Sequence, residues 1–146
     1  MDADRIFSIC NTSILPFWAL LILAPSWKWT QHLVHSALIP TLFGAVYIAA
    51  FAMSAPPEGA GFGSLEAVMI LFTAPEAVLA GWIHYLTFDL FVGAWEVRDA
   101  RRQGLPHLAV VPCLGLTFML GPAGLLLYLV IRGAMLRTGA LQELPA

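Results

Sequence analysis

Four apolar runs free of lysine and arginine divide the chain, at about residues 6–27, 33–53, 65–93 and 108–131. Each is long enough, at roughly 20 helical residues, to cross about 30 Å of hydrocarbon. The pattern predicts an all-α membrane protein: one domain over residues 1–146, with four transmembrane helices in an up-down bundle. The connections are short, at residues 28–31, 55–63 and 98–106, and the second carries Pro56, Pro57 and three glycines that cannot continue a helix. In the third run Pro75 removes a helical hydrogen bond and crowds the preceding turn, which predicts a long third helix with a kink or restart there. From Glu76 to about Arg102 the pattern reads as one helix of about 40 Å, whose end projects past the bilayer.

Within that long helix stand His84, Asp89, Glu96 and Asp99. An ionisable group in hydrocarbon costs at least a few kcal/mol, so such groups usually face a bundle interior and mark a site. At 100° per residue from His84, Asp99 falls near 60°, Glu96 near 120° and Asp89 near 140°, an arc wide enough to line a cavity, with Trp95 near 20° as an aromatic wall. These four are the candidate catalytic residues. Up-down topology adds the start of the second span and the start of the fourth at one membrane face. His32, His35, Asp89, Glu96, Asp99 and His107 then share a similar depth. Imidazoles and carboxylates together suit a divalent metal, Fe, Zn or Mn. The candidate ligands are His84, Asp89, Glu96 and Asp99, followed by His35 and His107, although no CxxC or HExxH spacing accompanies them. The plainer alternative is interhelical pairing, Asp99 with Arg102 or Glu96 with Arg98, with no chemistry at all.

Asn11, Trp82, Tyr85 and Trp95 are the candidate lining residues, and Arg132 joins them at the end of the fourth run. Rings in this number pack a bundle or form an aromatic belt, and they equally suit a groove for an extended apolar ligand. Glu66 beside Ser64 reads as a first-turn acid at a helix start.

Composition agrees with the membrane class. The chain is 60% hydrophobic and 11% charged, with a mean hydropathy of +0.81, against about 45–50% and about 25% in soluble domains. A net charge of −2 and no basic run beyond Arg98–Arg102 exclude nucleic acid as a partner class. Cys10 and Cys113 lie in apolar runs without a spacing motif and read as small hydrophobes. The first run lacks a basic start and a small-residue cleavage site, so it reads as a mature span. Lys28, Arg98, Arg101 and Arg102 fall at one end of a four-span bundle and Arg5, Arg132 and Arg137 at the other, which places the first group on the cytoplasmic side.

The string Trp82-Ile83-His84-Tyr85-Leu86-Thr87-Phe88-Asp89-Leu90-Phe91, followed by Asp99, His107 and Gly121-Pro122-x-Gly124, resembles the neoxanthin-synthase-like family, named for a plant abscisic-acid-deficiency locus (abscisic-acid-deficient-four-like). Leu15-Pro16-Phe17-Trp18 and Ala24-Pro25 extend the likeness over nearly the whole chain. The resemblance implies a small multi-pass membrane protein of four helices acting in carotenoid biosynthesis. The reaction it implies is an isomerisation in which an epoxide opens and a proton is lost to leave an allene. That chemistry needs an acid or a Lewis acid at the epoxide oxygen and a base for the proton. His84 with Asp89 is the expected base, and a metal or Glu96 with Asp99 the expected acid. With no N-terminal extension rich in Ser and Arg, the expected location is a bacterial inner membrane. Two further functions stay open: a non-enzymatic carotenoid- or lipid-binding membrane partner, and conduction along the polar row. The sequence leaves the oligomeric state open.

Overall fold

The computed structural model describes residues 2–141. Eight helices occur among them: α1 (Ala3–Ser13), α2 (Leu15–Leu23), α3 (Lys28–Leu33), α4 (Leu38–Met53), α5 (Leu65–Leu71), α6 (Pro75–Arg102), α7 (His107–Leu120) and α8 (Pro122–Leu136). Prolines set most of the boundaries. Pro16, in the first turn of α2, lacks the N–H that would extend the ladder of α1, so the two helices meet at Ile14 and continue in one direction as a 21-residue apolar rod. Ser64 caps α5 by accepting the Ala67 N–H at 3.1 Å. The third run then breaks at residues 72–74, and α6 restarts on Pro75 at its first helical position. The expected kink is therefore a restart.

α6 is the axis of the molecule. Its 28 residues extend about 42 Å, and α1, α2, α4, α7 and α8 all pack against it. Leu79, Ile83, Leu86, Leu90 and Val97 of α6 meet Ile14, Trp18 and Leu21 of the first rod, Phe43 of α4 and Leu114 of α7 in one core. Trp18 lies close enough to Gly93 that a Cβ there would meet two of its ring carbons at 2.8 Å. The helix closes at Gln103, where Gly104 N–H bonds Arg101 and Leu105 N–H bonds the Ala100 carbonyl at 2.8 Å.

The fourth apolar run departs from its expected form. Residues 108–131 are not one span: the chain reverses at Gly121, with φ +39°, and α8 returns along α7. The cause is local. Pro122 cannot donate to the ladder and pushes the preceding residue out of helical geometry, and Gly121 accepts the resulting positive φ. The hairpin is tight enough that a Cβ on Gly124 would overlap the Thr117 backbone and hydroxyl.

Two helical rods, Ala3–Leu23 and Pro75–Arg102, are long and apolar enough to cross a membrane by length and composition. α4, α7 and α8, with 16, 14 and 15 residues, extend about 24, 21 and 22 Å and fall short of about 30 Å. The all-α expectation holds, and the expected up-down bundle of four spans does not emerge among the described residues. Cys10 and Cys113 are buried free thiols.

Candidate functional site

The side of α6 that faces the α7–α8 hairpin carries Asp89, Glu96 and Asp99, which are 8%, 0% and 1% exposed. Each meets the hairpin at a different level. At the deepest level the Asp89 carboxylate lies under the Gly121 turn, where a Cβ would stand 2.7 Å from Oδ1. One turn of the hairpin away, Thr117 Oγ1 donates to Glu96 Oε1 at 2.9 Å. Nearest the end of α6, Asp99 Oδ2 accepts from Tyr128 OH at 2.5 Å and from Arg132 Nε at 2.7 Å, both on α8. Arg132 also donates to the Ala140 carbonyl at 2.8 Å, so the residues after α8 are tied to the same ion pair.

The three carboxylates differ in what remains unpaired. Asp99 is saturated by a phenol and a guanidinium, with Arg102 more distant at 3.8 Å from Oδ1. Glu96 Oε2 and Asp89 Oδ2 are buried with no hydrogen-bond partner. A buried acceptor left unmade costs about 1–3 kcal/mol, so two on one helix face require a reason.

Of the sequence candidates, Asp89, Glu96 and Asp99 come to one face and His84 does not. His84 is exposed on the opposite flank of α6, its ring 4.5 Å from Phe88 and 6.2 Å from Tyr47 of α4. The arc of 140° is wider than one packing face, and two different elements, α4 and the hairpin, cover its two edges. The histidines expected nearby are held elsewhere. His107 Nε2 bonds the Ile22 carbonyl at 2.9 Å and pins the start of α7 to the end of α2. His32 Nδ1 bonds the Lys28 carbonyl. His35 Nδ1 accepts from Arg98 at 3.3 Å, and burial together with Arg98 and Arg101 pushes its imidazole down to about 4. Among the described residues no three His, Cys, Asp or Glu side chains gather as a ligand set. The donors do not fit the expected Fe, Zn or Mn centre, and no step below passes through a metal.

The lining residues form two separate patches. Trp82 Nε1 donates to Asn11 Oδ1 at 3.2 Å and its ring stacks on Tyr85, whose hydroxyl donates to the Phe118 carbonyl at 3.1 Å. Tyr85 thereby bridges this patch to the hairpin tip beside Asp89. Trp95 meets Tyr128 edge-on at 5.5 Å. Outside it lies an apolar groove of about 270 Å³ walled by Phe91, Val92, Leu125, Leu129 and Leu141. Thr117 was invisible to sequence reasoning, because its role depends on the reversal at Gly121, whereas Tyr128 and Arg132 stood out as an aromatic and a cation within an apolar run.

Comparison with known proteins agrees with the resemblance carried by the Trp82–Phe91 string. Protein ABA DEFICIENT 4, chloroplastic, from Arabidopsis thaliana is 25% identical over 105 residues, covering 66% of this chain and 48% of the relative. The chain thus spans about half the length of the curated relative it matches. The expected bacterial inner membrane is corrected by this match, because the relative is a chloroplastic protein. No solved structure matches the chain. The model of the ABA4-like (ABA DEFICIENT 4-like) family matches residues 5–128, most of the sequence, and the chain belongs to that family.

Proposed function

We propose that this chain is an integral membrane protein that isomerises a carotenoid or related isoprenoid epoxide by proton transfer between two buried carboxyls, Glu96 and Asp89. The family's tie to carotenoid (neoxanthin) biosynthesis supports the substrate class. The observation that carries the chemistry is the pair of unpartnered oxygens, Glu96 Oε2 and Asp89 Oδ2, on one buried face. The two residues are seven positions apart, about 10 Å along α6, a separation that matches the length of one six-membered ring with a hydrogen bond on each side.

In this reading Glu96, oriented by the Thr117 hydroxyl, protonates the epoxide oxygen. The C–O bond breaks with its electron pair going to oxygen, and the cation left on carbon spreads into the polyene. Asp89 removes a proton from the adjacent vinylic carbon, and the C–H electrons form the second double bond of an allene. One proton is given and one taken, so the reaction is a balanced isomerisation without oxidant or reductant. Asp99, saturated by Tyr128 and Arg132, anchors the hairpin that shelters the pair. In this reading the rod Ala3–Leu23 and α6 span the membrane, the shorter α4 crosses beside them where the bilayer thins to its length, and α7–α8 enters from the Arg102 end to the depth of Asp89 and returns. Irregular backbone at that depth is tolerated where protein buries it, as the packing of Gly121 on Asp89 does.

The test is expression in a host that makes violaxanthin, with pigments separated by chromatography. The wild-type chain yields an allenic isomer, and Glu96→Gln or Asp89→Asn lowers conversion about 100-fold or more at equal protein level. Conversion by both variants at the wild-type rate overturns the carboxyl assignment. The wholly apolar groove beside Trp95, with none of the acids in its wall, favours a second reading: a pigment- or lipid-binding partner without catalysis. Pigment that co-purifies unchanged with an inactive wild-type chain selects that reading.

A further inference from the structure

The last turns of α6 carry three guanidinium groups, Arg98, Arg101 and Arg102, at spacings of three and four residues, so they project over one arc of about 100°. With Gln31 of α3 they wall a cavity of about 390 Å³. Gln31 is held in place there by its side-chain N–H bond to the Pro25 carbonyl at 2.9 Å. A second cavity of about 380 Å³ shares Arg98 and runs between the start of α4 and α6, past Ser36 and Thr41 to Val34, Pro40 and Phe91. The two cavities adjoin at Arg98, which lines both, one walled by cations and the other mainly apolar.

We propose that this site binds an anionic phospholipid, the headgroup phosphate on Arg98, Arg101 and Arg102 and the glycerol and first acyl carbons beside Phe91. Guanidinium forks match phosphate oxygens two at a time, and three of them exceed what one phosphodiester needs. The lipid source is favoured over free phosphate by the apolar limb, which a phosphate ion cannot fill. It is favoured also by Trp27 and Trp29, both 50% exposed next to Lys28 on α3, which form the aromatic belt expected at headgroup depth. The proposal rests on the membrane reading above and is independent of the epoxide chemistry.

Binding is measured on the detergent-purified full chain by native mass spectrometry and by titration with dihexanoyl phosphatidylglycerol, dihexanoyl phosphatidylcholine and inorganic phosphate. The expected result is at least about tenfold preference for the glycerol lipid over the choline lipid. Arg101→Gln and Arg102→Gln, both exposed positions, each lower affinity about fivefold, and added salt weakens binding in wild type more than in the double variant. Equal affinity for the two lipids, or wild-type affinity in the double variant, overturns the site. Inorganic phosphate that binds as tightly as the glycerol lipid overturns the lipid assignment. A chain that stays dispersed in buffer without detergent overturns the membrane reading itself, and pigment conversion is read separately.

Discussion

Asp99 takes both of its strong donors from α8, and neither is replaceable in place. Removing Arg132 leaves a carboxylate that is 1% exposed without its counter-charge, and breaking such a pair from one side costs about 3–5 kcal/mol. Arg132→Met is therefore expected to destabilise the detergent-solubilised chain by about that amount in denaturant titration. The double variant Arg132→Met with Asp99→Asn recovers most of the loss, because no charge is then left unpaired. Tyr128→Phe removes one charge-assisted bond and costs about 2 kcal/mol. His35, bonded to Arg98 beside Asp99, gives a pH signature at the same end of α6. Its imidazole titrates near 4 when folded and near 6.5 when unfolded, so between those values the unfolded chain binds more protons and stability falls as the pH drops. That contribution is fully present above pH 6.5 and is lost as the pH falls toward 4. His35→Asn flattens the wild-type stability curve across that window. At this scale Asp89, Glu96 and Asp99 were legible as one stripe because angular spacing fixes which residues share a helix face. His84 was misplaced because spacing cannot tell which neighbour covers each edge.

At the scale of the elements, the α7–α8 hairpin depends on two glycines that do different things. Gly121 supplies the positive φ at which the chain reverses, and Gly124 lets α8 approach Thr117. Gly124→Ala puts a Cβ into the Thr117 backbone, which no side-chain movement relieves, and Gly121→Ala adds backbone strain to a clash with Asp89. Both are expected to cost 3 kcal/mol or more, or to abolish recovery of folded protein by size-exclusion chromatography. Gly115, on the same hairpin, has open space around its Cα, so Gly115→Ala is expected to stabilise by up to about 1 kcal/mol through helix propensity alone. The reversal was half legible. Gly121-Pro122 is a breaker pair in plain view, yet hydrophobicity runs unbroken through it, and a length of 24 apolar residues suits one spanning helix as well as two short ones. What decides is the packing of Thr117 on Glu96 and of Tyr128 and Arg132 on Asp99, contacts between residues 21 to 33 positions apart.

For the whole molecule the hairpin redistributes charge. By returning Arg132 to the end of α6, it puts Lys28, Arg98, Arg101, Arg102, Arg132 and Arg137 at one pole, whereas a four-span bundle divides all seven cations, Arg5 included, four against three. The opposite pole holds Asp2, Asp4, Glu58, Glu66 and Glu76, with Arg5 as its cation. A pole with six of the seven cations is expected to stay on the side from which the chain inserts, with the Arg102 end facing that side and the N-terminus translocated. The two topologies differ at a single reachable position. Between residues 28 and 138 an up-down bundle crosses the membrane three times and leaves them on opposite sides. In the topology proposed above the chain crosses twice and turns back once, leaving them on the same side. In a background with Cys10→Ala and Cys113→Ala, an impermeant maleimide added to sealed vesicles is expected to label Lys28→Cys and Thr138→Cys from one side and Glu58→Cys from the other. Labelling of position 138 together with position 58 would mean that α7 and α8 straighten into a full span in the bilayer. Glu96 would then lose Thr117 and Asp99 would lose Arg132, and the sheltered carboxyl pair would have no cover.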